Sequence, residues 1–372
     1  MSRFWNKKIN EAKPYVAGEQ PKPGQKVIKL NTNENPFRPS PDCSEAVKNF
    51  DMGQLRLYPD TDSVMVCEAI AEAEGVLPSN VFVGNGSDEV LALCFQTFFE
   101  KEGNTDLPVL TPEFSYSFYP VFERFYDIRS RKIPLREGLR IEAEDYVGVP
   151  NCGIVIANPN APTSRAISLE DIRKILEANK DSVVIIDEAY AYFAEPYETA
   201  VTLLEDHPNL CVVRTLSKSY SLAGLRTGYA IASEELIEGL KRCRDSFNSY
   251  PLGRLEQVIA AAAVRDQAYH SWTRQEIIKN RIYTVEALES LGFDMPESSA
   301  NFVFARPPKC ISAQKLYKNL KAKGILVRYF DTEGINDRLR ITIGTREQME
   351  QLIAQVSKEV EDAKAGSDNT QD

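Results

Sequence analysis

Histidine is nearly missing from this chain. Its 372 residues hold two, His207 and His270, far apart and isolated. A zinc site or a serine–histidine triad has little to draw on, so no metal is expected. Seven cysteines lie scattered, odd in number and without a C-x-x-C pair. They are expected to be reduced thiols of a cytoplasmic protein rather than a disulfide framework. No apolar run approaches the ~20 residues that span a bilayer. The opening "MSRFWNKKINEAKPYV" lacks the apolar stretch of a secretory signal. There is no Lys/Arg block and the net charge is −10, so nucleic acid and anionic membranes are not expected as partners. What is present, 43% apolar and 26% charged residues, is ordinary for a globular enzyme. The length allows one large unit and a smaller one. With so little histidine, any acid–base chemistry must come from another side chain or from a cofactor.

The first 35 residues are rich in Pro, Asn and Lys and read as an extended arm ending in "LNTNENPF". "TDSVMVCEAIAEAEGV" predicts a helix capped by Ser63 and stopped by Gly75. "VFVGNGSDEVLALCFQTFF" predicts a strand, a glycine-bearing turn and an apolar helix. "GIVIA", "VVIID", "LCVVRTL" and "TGYAIAS" are apolar without alternation, and Ser168 with Asp171 opens a helix between the first two. Such strands predict a parallel or mixed sheet covered on both faces. In sheets of this kind ligands bind at the carboxyl ends of the strands. The polar loops fall there: Gly84–Glu89, Asn158–Thr163, Asp187–Tyr190 and Ser217–Lys218. From about residue 233 helices dominate, followed by "NFVFARP", "ILVRYF" and "RLRITIG" among further helices, which predicts an α+β C-terminal unit.

Taken singly, each polar residue has an ordinary explanation. Asp187 could be a strand-end acid, Tyr190 and Phe114 core aromatics, Asn160 a turn residue, and "GNGSDE" a capped turn. Their order is more informative. Asp187 and Lys218 are 31 residues apart, the length of a strand–helix–strand passage, so a carboxylate and an amine come from neighbouring strand ends. A lysine there is placed to act as a nucleophilic amine. Ser87 at a helix N-terminus, with Arg226 nearby, suits a phosphate.

The chain resembles the fold-type I pyridoxal-phosphate aminotransferases, and among them most closely the histidinol-phosphate aminotransferase group. The resemblance runs through "AKPYVAGEQ", "LNTNENP", "LYPD", "GNGSDEVL", "NPNAPT", "IDEAY", "TLSKSYSLAGLRTGY", "GILVRYF" and "LRITIGTREQ", nearly the whole chain in order. It implies an α/β fold with a large, mostly parallel sheet domain of the seven-stranded type and a smaller α+β C-terminal domain. The expected boundaries are an arm at 1–35, the large domain at 36–250, a connecting helix and small domain at 251–363, and a disordered tail at 364–372.

Residue by residue, the resemblance implies pyridoxal 5′-phosphate attached at Lys218. Asp187 pairs with its ring nitrogen, and Tyr190 and Asn160 reach its ring hydroxyl. Phe114 stacks on the ring, while Ser87, Asp88, Ser217 and Arg226 hold the phosphate. Tyr58 reaches the phosphate of a neighbouring subunit, which implies a homodimer with shared sites. Arg340, with Tyr15 and Arg328, binds the anionic end of the substrate. The chain departs from the family pattern in the loop, where Ser164 also replaces the glycine after Thr163, and in the aromatic segment. The usual second asparagine of the loop is Ala161 here, so Asn160 or Asn158 must serve, or the contact is missing. In "PEFSYSFY", Tyr116 rivals Phe114. The implied reaction is transamination between L-histidinol phosphate and 2-oxoglutarate. An aromatic or broad-range aminotransferase and a threonine-phosphate decarboxylase share most of these motifs and stay as alternatives. A non-enzymatic cofactor binder is disfavoured, since lysine, aspartate and phosphate loop are all present.

Overall fold

The structure, a computed structural model, describes residues 2–15, 18–22, 24–99 and 107–368. In chain order the first elements are α1 (Lys7–Glu11), β1 (Ile28–Lys29), α2 (Pro41–Lys48), α3 (Val64–Glu74), β2 (Val81–Gly84) and α4 (Gly86–Phe98). Next come β3 (Val109–Pro112), α5 (Tyr119–Phe125), β4 (Ser130–Ile133), β5 (Gly153–Ala157), α6 (Leu169–Ala178), β6 (Val183–Asp187), β7 (Leu210–Thr215) and β8 (Gly228–Ala232). The remainder is α7 (Glu234–Asp245), α8 (Arg254–Arg265), α9 (Gln267–Ser290), β9 (Phe302–Ala305), α10 (Ala313–Ala322), β10 (Ile325–Leu326), β11 (Arg328–Tyr329), β12 (Leu339–Thr342) and α11 (Arg346–Asp368).

The fold is α/β around a seven-stranded sheet in the order β2-β8-β7-β6-β5-β3-β4. Only β8 runs against its neighbours. Alternate residues of each strand enter opposite layers. Ile154, Ile156, Val184, Ile186 and Val212 pack with α3, α6 and α8. Val155, Ile185, Cys211, Val213 and Ala230 pack with α4, α5 and α7. Burial on both faces is why these strands read as unbroken apolar runs. The sequence reading has no counterpart for β4. It is an edge strand, half-exposed, and its "SRKI" carries no apolar run.

A second body holds the three-stranded antiparallel sheet β11-β12-β9, packed with α9, α10 and α11. The arm is less extended than expected. Asn6 caps α1, and β1 pairs in parallel with β10, which carries Leu30 into this second core. The tail expected from 364 begins inside α11, because Val356, Val360 and Ala363 continue its packing. Residues 369–372 lie outside the described ones.

Helix ends follow the predicted chemistry with one exception. Ser168 Oγ accepts from Asp171 N at 3.1 Å, as expected. Gly75 ends α3 with φ +71°. Ser63 sits at the start of α3 but in the left-handed region and does not cap it. Asp60 Oδ2 takes the Val64 N–H instead, at 2.8 Å. No helix among the described residues is long and apolar enough to cross a membrane.

Candidate active site

The strands β5, β6 and β7 end side by side, with Ala157 opposite Asp187 and Asp187 opposite Val213. Their ends and the start of α4 line a cavity of about 280 Å³. A second cavity of about 320 Å³ adjoins it through Thr32, Tyr116, Ala161, Tyr190 and Lys218, and extends toward Arg328 and Arg340. Lys218 stands where the two meet. Its Nζ donates to the Thr32 carbonyl at 3.1 Å and lies 5.8 Å from the centre of the Tyr190 ring.

At one end of the first cavity Asp187 is buried. Its Oδ2 accepts from Tyr119 OH at 2.8 Å and its Oδ1 from Ala189 N at 3.3 Å. Burial pushes the carboxyl up to about 6. Among the described residues no cation pairs with it. A buried carboxylate with hydrogen-bond donors but no counter-charge is a fitting partner for a cationic ring nitrogen.

At the other end, backbone replaces side chain. A Cβ on Gly228 would lie 2.2 Å from Ser87 N, and one on Gly86 (φ +82°) would lie 2.5 Å from Arg226 Nη2. Bare glycines therefore let β8, Arg226 and the first turn of α4 converge. The first N–H groups of that helix have no intrahelical partner, which makes the corner an anion site. Arg226 Nη2 meets Asp88 Oδ2 at 3.2 Å, and Ser87 and Ser217 line the same cavity. Thr215 Oγ1 donates to Ser217 Oγ at 2.9 Å and fixes it. Phosphate corner, amine and buried carboxylate thus fit pyridoxal phosphate in size and charge.

The second cavity ends on two arginines. Arg328 of β11 and Arg340 of β12 are direct cross-strand partners. Arg340 Nη2 donates to the Asn31 carbonyl at 3.0 Å, while its buried Nε has no partner among the described residues. Burial, with Arg328 beside it, holds its guanidinium below the usual range. Among the described residues neither arginine pairs with a carboxylate. Two neighbouring guanidiniums without a carboxylate suit an anionic ligand.

The family model for aminotransferase class I and II matches residues 25–356. The chain belongs to the class I and II aminotransferases. A histidinol-phosphate aminotransferase of Chromohalobacter salexigens is 48% identical over 353 residues, covering 95% of this chain and 98% of that protein. One from Acinetobacter baumannii is 47% identical over 361 residues, covering 96% and 98%. The crystal structure of histidinol-phosphate aminotransferase from Sinorhizobium meliloti in complex with pyridoxal-5′-phosphate superposes with a TM-score of 0.85 at 23% identity, over 97% of this chain and 99% of that one. At that identity the likeness speaks for the fold.

In this aminotransferase the residues singled out from the sequence fall in three groups. Lys218, Asp187, Tyr190, Ser87, Asp88, Ser217 and Arg226 converge on the first cavity. Arg328, Arg340, Tyr15 and Phe114 line the second, with Tyr15 stacked on Phe118 at 4.6 Å. Asn160 and Tyr58 line neither. Asn160 is turned away, against expectation. Its Oδ1 accepts from Ser115, and its Nδ2 donates to the Phe114 carbonyl and to Thr163. Asn158 is likewise used locally, bonding the backbone of Ile167. Ala161 faces both cavities in their place. Phe114 does not reach the first cavity and packs at Gly334. Tyr116 borders both cavities and donates to Asp88 Oδ1 at 2.6 Å. Tyr58 is 77% exposed and stacked on Tyr250 at 4.7 Å.

Several neighbours carried no expectation. Asn33 Nδ2 donates to Tyr190 OH at 3.0 Å. Asn35 Nδ2 donates to the carbonyls of Lys218 and Ser219, at 3.1 and 3.2 Å. The asparagine density of "LNTNENP" was the available signal, since a polar cluster ending an arm must spend its amides somewhere. Tyr119 had no such signal, being one aromatic among several.

Proposed function

We propose that this aminotransferase moves the amino group of L-histidinol phosphate to 2-oxoglutarate, giving imidazole acetol phosphate and L-glutamate. The observation that carries the reading is the pair Arg328–Arg340 across the cavity from Lys218. Like charges directly opposite on neighbouring strands repel, and a doubly charged anion relieves that repulsion. A phosphate monoester carries about −1.5 to −2 charge near neutral pH. The distal carboxylate of 2-oxoglutarate meets the same guanidiniums in the second half-reaction. The relatives at nearly half identity bear the name of this reaction.

Pyridoxal phosphate, when bound, supplies the electron sink. Lys218 is its covalent anchor. With the cofactor bound, the Lys218 Nζ would be the group placed to take the proton from the amine-bearing carbon of the substrate and to return one. Asp187 would hold positive charge on the ring nitrogen. Ser87, Asp88, Ser217, Thr215 and Arg226 hold the phosphate corner. Tyr190, oriented by Asn33, would hold the ring hydroxyl, and Tyr116, which lines the same cavity, would hold the ring face. Arg340 and Arg328 take the anionic end of the substrate, with Tyr15 closing the cavity edge. The working form is a cytoplasmic homodimer, in which Tyr58 serves the partner's phosphate corner. Its exposure beside exposed Met52, Leu55 and Leu57 supports that role. The arm to 35, the large domain to 250 and the small domain beyond it belong to the same reading.

A donor panel tests the reaction. Histidinol phosphate, phenylalanine, tyrosine and threonine phosphate are each offered with 2-oxoglutarate, and glutamate and carbon dioxide are measured. Histidinol phosphate should give the highest kcat/KM. Faster turnover of phenylalanine, or carbon dioxide from threonine phosphate, would replace this reading with another.

A further inference from the structure

On the side of the sheet away from the cavity, the same strand ends carry a buried ionic network. Side chains alternate along β6 and β7, so Glu188 and Arg214 point opposite to Asp187 and Thr215. Arg214 is fully buried. Its Nε and Nη2 both donate to Glu188 Oε2, at 3.0 and 2.6 Å. Its Nη1 donates to Glu74 Oε1 of α3 at 2.6 Å, and Nη2 also meets Thr199 Oγ1 at 2.6 Å. Glu188 Oε1 accepts from Ala200 N at 2.6 Å. Glu74 Oε1 further accepts from the hydroxyls of Tyr229, at 3.0 Å, and Tyr192. The Tyr192 ring lies 4.7 Å from the guanidinium carbon and edge-on to Tyr220 at 5.9 Å.

Two carboxylates and one guanidinium out of contact with water are weak as a source of stability, because a well-packed apolar cluster does as well. Direction is what such a network supplies. Glu188 directly follows Asp187, Arg214 precedes Lys218 by four residues, and Tyr220 follows it by two. The bonds therefore tie the carboxylate strand, the lysine strand and its turn to one helix. A misplacement of about 1 Å in an active site can lower a rate about a hundredfold.

We infer that Glu188, Arg214 and Glu74 are positioning residues that hold the ends of β6 and β7 against α3, so that Asp187 and Lys218 keep one separation across the cavity. The inference rests on the roles proposed above for those two residues. Borohydride reduction of the wild-type holoenzyme comes first. An adduct on a lysine other than Lys218 overturns the site reading and this inference with it.

With the adduct on Lys218, Glu188→Gln keeps the shape and removes the charge, and Arg214→Lys keeps the charge and removes the fork. For each variant, kcat, KM, the visible circular dichroism of bound cofactor and the pH midpoint of its absorbance band are measured. Heat denaturation of the cofactor-free chain is measured beside them. We expect kcat to fall about ten- to a hundredfold with KM changed less than about threefold. The absorbance midpoint should move by about half a pH unit or more, and the dichroic band should weaken. Loss of heat stability with kcat, midpoint and dichroism unchanged overturns the inference. If either variant fails to fold, Glu74→Gln, at the far end of the network, is read by the same criteria.

Discussion

The two walls of the active site are built in different ways. One wall is a row of strand ends inside a single sheet, where backbone register alone sets Ala157, Asp187 and Val213 side by side. The other is gathered from distant segments: the arm at 31–35, the arginines of β11 and β12, and the loop around Tyr116. It is held by contacts between segments far apart in sequence, such as Arg340 to the Asn31 carbonyl, Lys218 to the Thr32 carbonyl and Asn33 N to Thr342 Oγ1. The first wall places groups of fixed chemistry. The second surrounds whatever that chemistry acts upon. Damage to the first wall should therefore remove turnover, and damage to the second should mostly change affinity for the substrate.

The largest effect belongs to Lys218→Ala. Transamination should fall by about a thousandfold or more, while the phosphate corner still binds cofactor without a covalent link. Mass spectrometry after borohydride should then find no adduct.

Asp187→Asn should lower kcat about a hundred- to a thousandfold, with the fold retained. It also carries an effect of opposite sign. Burial raises this carboxyl from 3.8 in the unfolded chain to about 6. Its ionisation therefore opposes folding, with the full penalty above about pH 6, and that penalty fades as pH falls from there toward 3.8. The cofactor-free variant should be more stable than the parent at pH 8, by up to about 3 kcal/mol. Urea unfolding at pH 8 and pH 5 separates the two: the gain should be present at the first and smaller at the second. Near-normal turnover would mean that Asp187 is only a strand-end acid.

On the second wall, Arg340→Met should cost about 1.5–3 kcal/mol of substrate binding, or roughly ten- to a hundredfold in kcat/KM. Cofactor affinity, read from the absorbance titration, should stay within about threefold. A large loss of cofactor instead would erase the division between the walls.

The smallest effect concerns a residue that touches neither cavity within its own chain. Tyr58→Phe should weaken cofactor binding about tenfold, by removing one hydrogen bond to a phosphate. In a mixed dimer with Lys218→Ala, the lysine-bearing site takes its tyrosine from the other chain and should bind with near-native affinity. Equal weakness in that mixed dimer and in the Tyr58→Phe homodimer would assign the tyrosine to its own subunit.

The first wall was also the legible one. Strands buried on both faces leave unbroken apolar runs, and polar residues just beyond such runs mark the ligand end of the sheet. Lys218, Asp187 and Ser87 could be singled out on that basis. The arginine within "LCVVRTL" was a signal too, since a charge inside a buried strand implies a buried counter-charge. Its partners could not be named, because Glu74 lies 140 positions away. The second wall depends on such distances throughout. Asn33 meets Tyr190 across 157 positions, and Arg340 meets Asn31 across 309. The loop at 158–163 failed for another reason. Spacing places an asparagine in the loop but does not say which way the backbone turns it, and both asparagines are consumed in holding the loop itself. Ala161 is left to face the two cavities.

The arm offers backbone carbonyls to two of the cationic groups of the site. The carbonyls of Asn31 and Thr32 receive Arg340 and Lys218, and every amino acid has a carbonyl. Replacing either side chain leaves the acceptor where it is as long as the path of the chain holds. These contacts are thus sheltered from mutational drift in a way that Asn33's amide is not. They can be lost by deletion, by a shift of register or by severing the arm, so length and path, rather than residue identity, are the heritable traits of this part of the site.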